Sequence, residues 1–443
     1  MSPAAAAGGR RAGHGHVVLQ VALDFVDLPR ALQVAREAVA GGADWLEAGT
    51  PLIKAEGLAA VRALKSEFPD RTVVADMKTM DAGRVEVEYA AKAGADVVGV
   101  LGAASDSTIR ECAEAARNYG CELLVDMIEV ADPVARAKRA EELGADFIGI
   151  HTAIDRQMRG ESPFDTLRAV AQAVDIPVAV AGGINSETAA AAVAAGASVV
   201  VVGGAIIKAK DATAAAAEIR RAIDEGVVIE TTLYKRADEG RLREVLGLVS
   251  TANISDAWHR QPSLPGIRPL FPGARLCGPA VTVRTYPGDW AKTVEAIDVC
   301  RPGDVLVIDA NDSPPAMWGE LATHSAMGKG LAGLVAWGAV RDTPEIVRLG
   351  FPVFASKVCA NAGEPKGYGE IGVPVVIAGQ TVRPGDWVVG DDDGVMVLPR
   401  EQAVELANRA MYVLEKENRL RAEIEAGKTL AEVAYLQKWE KAR

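Results

Sequence analysis

Asp76, Lys78 and Asp81 fall in the stretch VVADMKTMD as the pattern D-x-K-x-x-D. Residues two apart on a strand point the same way, so Asp76 and Lys78 share a face where a short apolar run ends, and the following turn can bring Asp81 near them. An ammonium between carboxylates stays charged and can deliver or take a proton. A lone D-x-K is equally well explained by a surface ion-pair cluster. The same half of the chain also supplies Asp24, Glu47, His151 and the glycine pairs Gly182–Gly183 and Gly203–Gly204. Singly, Asp24 could cap a helix, His151 could be a packed core histidine and the glycines could be turns. Their chemistry depends on whether one fold gathers them.

A repeat supplies such a fold. GGADWLEAG, AGADVVGV, LGADFIGI and AGASVVVV recur about every 50 residues, which fits two helix–strand pairs per period. Between them lie VVLQVALD, TVVADMK, ELLVDMI and PVAVAGG, each followed by an Ala- and Glu-rich helical stretch. Residues 17–224 therefore read as a (β/α)8 TIM barrel, whose active site lies at the carboxyl ends of the strands. On that rim strand one ends in Asp24, strand two in Glu47, strand three in Asp76 and Lys78, strand six in His151, strand seven in Gly182 and Gly183, and strand eight in Gly203 and Gly204. Glu47 and Asp76 are hard oxygen ligands suited to Mg²⁺ or Mn²⁺. The glycines can bring bare N–H groups to a phosphate. His151 can exchange protons near neutral pH. Metal, phosphate grip and base together suit proton removal beside a polarised carbonyl, giving an enediolate.

The 443 residues suit two domains of roughly 200 each. No uncharged apolar run approaches the ~20 residues of a membrane span. Five cysteines without a C-x-x-C pair imply a reducing cytoplasm and no zinc site, and a net charge of −12 argues against a nucleic-acid-binding surface. Residues 1–16, with His14 and His16, read as a disordered tail.

Residues 225–243 read as a charged, partly helical linker, 244–405 as a second α/β domain, and 406–443 as terminal helices. RPGDVLVIDA and RPGDWVVGDD repeat a Pro-Gly turn feeding a strand, with no chemistry required. GELATHSAMGKGLAGLVAWGAVRD is more informative: Glu320, Arg341 and Asp342 could meet across a fold-back, with Arg341 gripping a carboxylate and Asp342 offering an oxygen to a divalent ion. His324, one helical turn from Glu320, reads as a packed or exposed helix residue.

Asp24, Glu47, the DMKTMD motif and His151 resemble the active-site positions of the orotidine monophosphate decarboxylase superfamily, and within it the hexulose-phosphate synthases. The resemblance implies magnesium on Glu47 and Asp76, a barrel dimer in which Asp81 reaches the neighbouring subunit's site, and aldol addition of formaldehyde to D-ribulose 5-phosphate or its reverse. The related 3-keto-L-gulonate-6-phosphate decarboxylases, the alternative, carry an Arg three residues after the histidine, where this chain has Ile154, and usually Gly-Arg closing strand eight, where it has VGGAI. The second half, about 245–399, is similar to the RraA-like family, which includes 4-hydroxy-4-methyl-2-oxoglutarate aldolases and ribonuclease inhibitors. That similarity implies a substrate loop at Gly319, Glu320, Leu321 and Ala322, a substrate-holding Arg341, a metal on Asp342 and a possible 2-keto acid substrate. The alternative is a regulatory or assembly module without catalysis.

Overall fold

The computed structural model describes residues 16–231 and 236–434. His14 lies outside them, whereas His16 is placed and bonds through Nε2 to Asp44 Oδ1 at 3.2 Å. Contacts divide the described residues into two compact units, one of 16–157, 161–231 and 415–434, the other of 158–160 and 236–414.

The first unit is a closed parallel barrel in the order β1 to β8: β1 Val18–Leu23, β2 Trp45–Ala48, β3 Thr72–Thr79, β4 Val97–Leu101, β5 Glu122–Asp126, β6 Phe147–His151, β7 Val178–Ala181 and β8 Val199–Val202. The repeat seen in the sequence has a physical origin. In each of its first three copies a glycine at positive φ (Gly42, Gly94, Gly144) ends a helix. The Asp two residues on then pins the preceding strand. Asp44, Asp96 and Asp146 each accept at Oδ2 from the backbone N–H of Leu19, Val73 and Leu123, at 2.9, 2.7 and 2.8 Å. Each acid's own N–H donates to that residue's carbonyl, at 2.8–2.9 Å. The fourth copy has Ser198, whose N–H donates to Val178 O at 2.8 Å.

Strand alternation sorts the core. Leu19, Val21 and Leu23 face the surrounding helices, and Val18 and Ala22 join Trp45, Val74, Val97, Phe147, Ala179, Val199 and Val201 inside the barrel. Burying each large aliphatic side chain contributes about 1.5–3 kcal/mol. This filled interior closes the barrel floor and leaves polar strand ends at the rim.

The second unit holds a mixed sheet. Among the described residues the unit's strands are β9 Arg268–Pro269, β10 Leu276–Arg284, β11 Val305–Asp309, β12 Gly333–Val340, β13 Val353–Val358, β14 Glu370–Ile371, β15 Val375–Ile377, β16 Gln380–Val382, β17 Trp387–Asp391 and β18 Gly394–Leu398. The sheet order is β18-β17-β10-β11-β12-β13-β9, parallel from β10 to β13, with β14 also on β10 and β15–β16 a separate hairpin. Both R-P-G-D turns are closed the same way: Asp304 and Asp386 accept from the N–H of Arg301 and Arg383, at 2.7 and 2.8 Å. The unit ends inside the helix Ala403–Glu425. Ala403, Leu406, Ala407, Ala410 and Met411 belong to this unit's core, whereas Glu415 onward belongs to the first unit. In the stretch read as a linker, one helix runs to Glu225 and the next begins at Leu242; the described residues between them carry no helix.

Candidate active sites

At the carboxyl ends of the barrel strands the structure brings together Asp24, Glu47, Asp76, Lys78 and His151. Lys78 Nζ donates to Asp76 Oδ1 and Oδ2, both at 2.9 Å, and to Asp126 Oδ2 at 3.0 Å. His151 Nδ1 lies 3.2 Å from the same Asp126 oxygen, and Asp126 Oδ1 accepts from Ile128 N–H at 2.9 Å. Thr50 Oγ1 donates to Asp76 Oδ2 at 2.7 Å. The order is therefore Asp76, Lys78, Asp126, His151, with a cation at the centre.

Strand alternation does not produce the Asp76–Lys78 contact. The β3–β4 register shifts between Ala75 and Thr79, and Lys78 has a φ of 51°, so a bulge folds its side chain back toward Asp76. The bulge also corrects the expectation for Asp81 within one chain. The turn carries Asp81 to an exposed position, with no hydrogen bond or ion pair to Asp76 or Lys78. Asp24 is not a helix cap; Asp27 takes that role by accepting from Arg30 N–H at 3.1 Å.

Electrostatics separate two halves of the site. Burial drives the Glu47 carboxyl up to about 8, with the charges of Asp76 and Asp24 adding to the rise against Lys78 and Gln20. Asp24 opens to water at the mouth, yet protein walls surround its carboxyl; that desolvation and Asp76 raise its proton affinity. On the other side burial disfavours both charged partners, but pairing outweighs it. Asp126 is held at about 2 by the hydrogen bond and charge of His151 and by Lys78, and the Lys78 ammonium is held well above its ordinary range by Asp126 and Asp76.

Glu47 is 8% exposed and accepts from Gln20 Nε2 at 2.5 Å, while Gln20 Oε1 is buried without a hydrogen-bond partner. Glu47, Asp76 and Asp24 thus form a carboxyl-lined pocket of hard oxygens beside an unpartnered acceptor. That donor chemistry fits a water-rich divalent ion, although no three Asp, Glu, His or Cys side chains converge as a complete ligand set among the described residues.

Gly182 and Gly183 have φ of 102° and 77°, and a methyl on Gly182 would lie 2.6 Å from Thr152 O. Gly203 sits beside Asp24, where an added Cβ would be 3.5 Å from Oδ2, and Gly204 opens a single helical turn ending at Ile207. Gly49 is a further requirement, because a methyl there would collide with Asp24 Oδ1.

In the second unit Asp342 Oδ2 accepts from Glu320 N–H at 3.2 Å and lies 3.5 Å from Arg341 Nε. The bridge between Trp318 and Val340 aligns the two segments, and the bare Gly319 allows the approach: a Cβ there would be 2.5 Å from Asp342 Oδ2. Leu321 is exposed, Ala322 half-buried, and His324 Nε2 bonds to Glu320 Oε1 at 3.2 Å. Asp342 Oδ1 accepts no hydrogen bond from the described residues, so it presents one anionic oxygen of the kind a largely hydrated Mg²⁺ accepts.

Residues 18–219 match the profile of the orotidine 5'-phosphate decarboxylase / HUMPS family, and residues 251–397 match the RraA-like profile, described as Aldolase/RraA. The 3-hexulose-6-phosphate synthase of Mycobacterium gastri is 45% identical over 205 residues, covering 46% of this chain and 99% of that protein. The enzyme of the same name from Bacillus subtilis is 40% identical over 209 residues, covering 47% and 99%. The solved RNA-processing inhibitor RraA from Thermus thermophilis is 31% identical, covering 34% of this chain and 92% of its own, with a TM-score of 0.32. The chain belongs to the orotidine 5'-phosphate decarboxylase / HUMPS family and continues into an RraA-like domain. Within that family its barrel groups with the 3-hexulose-6-phosphate synthases, and the chain is an enzyme of the lyase class.

Proposed function

We propose that the barrel adds formaldehyde to C1 of D-ribulose 5-phosphate, giving 3-hexulose 6-phosphate, or runs the reverse cleavage. The observation that carries this reading is Lys78 clamped between Asp76 and Asp126, with His151 on the same Asp126 oxygen as Lys78. With Nδ1–H given to Asp126, His151 presents Nε2 as the base that takes the C1 proton. The enediolate that results is negative, and the fixed Lys78 ammonium stabilises it. Its carbon then forms a bond to formaldehyde carbon, and the new alkoxide takes a proton back from the site. Glu47 and Asp76 would hold Mg²⁺ or Mn²⁺, which when bound polarises the carbonyl and hydroxyl pair of the sugar. Gly182, Gly183, Gly203 and Gly204 receive the phosphate on backbone N–H groups.

Ile154, three residues after His151, supplies no cation to a departing carboxylate, which disfavours the gulonate-phosphate decarboxylase reading. Asp81 is exposed, as are Met80 and Tyr89 at 51% and 55%, and is available to a second barrel as in a twofold dimer. Mixing inactive Asp81→Ala and Asp76→Ala chains should then restore about a quarter of wild-type activity, since random exchange gives half mixed dimers with one intact site each. No recovery despite demonstrated exchange would confine Asp81 to its own subunit. The decisive assay is formaldehyde consumption dependent on ribulose 5-phosphate, with product identified by mass; consumption independent of the sugar phosphate would sink the reading.

For the RraA-like domain we infer a metal-assisted retro-aldol or decarboxylation of a 2-keto acid. Arg341 grips the substrate carboxylate, Gly319 and the first turn of the helix Glu320–Lys329, with Leu321 and Ala322, flank it, and Asp342 would hold the divalent ion. The approach of Gly319 to Asp342 supports this over a purely assembling role. Pyruvate release from oxaloacetate or 4-hydroxy-4-methyl-2-oxoglutarate tests it.

A further inference from the structure

The barrel unit contains an element that lies outside both matched regions. From Glu415 the last half of the helix Ala403–Glu425, and the short helix after it, belong to the compact unit of the barrel. A surface helix normally covers a barrel with an apolar stripe, but here three charged residues at successive turns, Glu415, Arg419 and Glu423, are the buried ones, at 3–6% exposure. Burying three charges is costly unless each is matched by a fixed partner.

The partners lie on two segments of the barrel unit. Arg419 Nη1 donates to Ala209 O at 3.2 Å and to Lys210 O at 3.4 Å. The same guanidinium reaches Glu37 Oε2 and Oε1 at 3.2 and 3.3 Å, and its Nε reaches Glu423 Oε1 at 3.1 Å. Glu423 in turn accepts from Arg30 Nη2 at 2.8 Å, and Glu415 Oε2 faces Lys208 Nζ at 3.8 Å. Arg30 and Glu37 lie on the first barrel helix, Leu28–Ala40, whereas Lys208, Ala209 and Lys210 follow directly on the turn Gly204–Ile207 that leaves β8. Lys208 also acts on the site itself, because its charge lowers the proton affinity of Asp24.

We infer that Arg419 and Glu415 are positioning residues for the barrel reaction: from the far end of the chain they fix the Lys208–Lys210 segment, and through it the Gly203–Gly204 turn that receives the phosphate. The inference rests on the phosphate role given above to those glycines. The helix lies outside the region matched to the barrel family, residues 18–219, and belongs to the longer chain. A planar fork that satisfies two carbonyls and two carboxylates at once cannot be replaced by a lysine point charge.

The test uses the full-length chain and three variants, Arg419→Met, Arg419→Lys and Glu415→Gln, with inorganic phosphate as a competitive probe. Loosening the segment should weaken ground-state and transition-state binding of the phosphate alike. KM for ribulose 5-phosphate and the inhibition constant of phosphate should both rise, by roughly 10-fold for Arg419→Met and less for the other two, with kcat within about two-fold. Should Arg419→Met fail to fold, Arg419→Lys, which keeps the charge, still separates the cases. Losses in kcat that track the folded fraction while KM and phosphate inhibition stay at wild-type values would overturn the inference and leave a structural helix. If phosphate does not compete with the sugar even in the wild type, the phosphate reading of the glycines fails instead, and the helix inference falls with it.

Discussion

The two candidate sites use similar residues under different solvation. In the barrel, Lys78 and Asp126 have side chains 22% and 7% exposed and Glu47 is buried, so charges act on one another through protein and strong shifts in proton affinity follow. In the RraA-like domain Arg341 and Asp342 have side chains 43% and 38% exposed, joined at 3.5 Å in a setting where ion pairs count for about 0–1 kcal/mol. The comparison teaches that the barrel site is organised before substrate arrives. The second cluster is held by backbone, through the approach of Gly319 and the Glu320 N–H to Asp342, and stays open to water.

The largest expected effect strikes the preorganised side. Asp76→Ala removes a partner of Lys78 and one of the two oxygens proposed for the metal, so synthase turnover should fall by about 10³-fold or more while the fold survives. Circular dichroism and formaldehyde consumption together check it, and a folded variant with most of its turnover would show that the cluster is a structural ion network. His151→Ala should cost roughly 10²–10⁴ in kcat, the usual contribution of a positioned base, with little change in KM. A variant that unfolds yet keeps full specific activity in its soluble fraction would restore the packed-histidine explanation.

A smaller effect probes solvation directly. Glu47 is raised to about 8 from 4.5, so between those values the folded chain binds more protons than the unfolded one, and its stability must fall as pH rises through that window. Asp126, held at about 2, acts in the opposite sense and only in acid: its contribution is present above its unfolded value of 3.8 and is lost as pH falls toward 2. If a divalent ion binds the ionised Glu47, the rise in Tm on adding Mg²⁺ should be larger near pH 8.5 than near pH 5.5, by about a few degrees. Glu47→Gln should abolish that difference. Equal gains at both pH values in the wild type would place the ion elsewhere.

The barrel was legible because its repeat is made by local chemistry: a glycine ends each helix and, in three copies, an Asp pins a strand, and both letters recur in the sequence. The rim rule collected Asp24, Glu47, Asp76, Lys78 and His151 but passed over Asp126, although ELLVDMI ends its strand in that residue by the same rule. No letter announces that Asp126 holds Lys78 and His151 together. Other features were beyond a linear reading. The bulge at Lys78 and the exposure of Asp81 depend on register, Gly49 on its approach to Asp24, and Arg419 on contacts about 210 positions away along the chain. In the second half the G-E-L and R-D motifs were visible, and their meeting required only the Trp318–Val340 bridge.

The smallest expected effect, the response of each domain to a change in the other, is the sharpest test of the contrast. If Asp342 holds an ion that polarises a 2-keto acid gripped by Arg341, Asp342→Ala should remove pyruvate release, since the enolate leaving group then has nothing to stabilise its charge. The barrel reaction should change by less than about two-fold, because the two sites share no residue and draw on separate cores, and substitutions without shared partners generally act independently. Asp76→Ala should give the reciprocal result, abolishing synthase activity and sparing pyruvate release. Measuring both activities in the wild type and both variants distinguishes two enzymes on one chain from an enzyme with an attached module. A wild type that releases no pyruvate, together with an Asp342→Ala chain whose barrel activity or assembly changes, would assign Asp342 to regulation. The exposed Arg341–Asp342 pair would then be a surface for a partner, and the difference in solvation between the two sites would be one of kind, catalytic against adhesive.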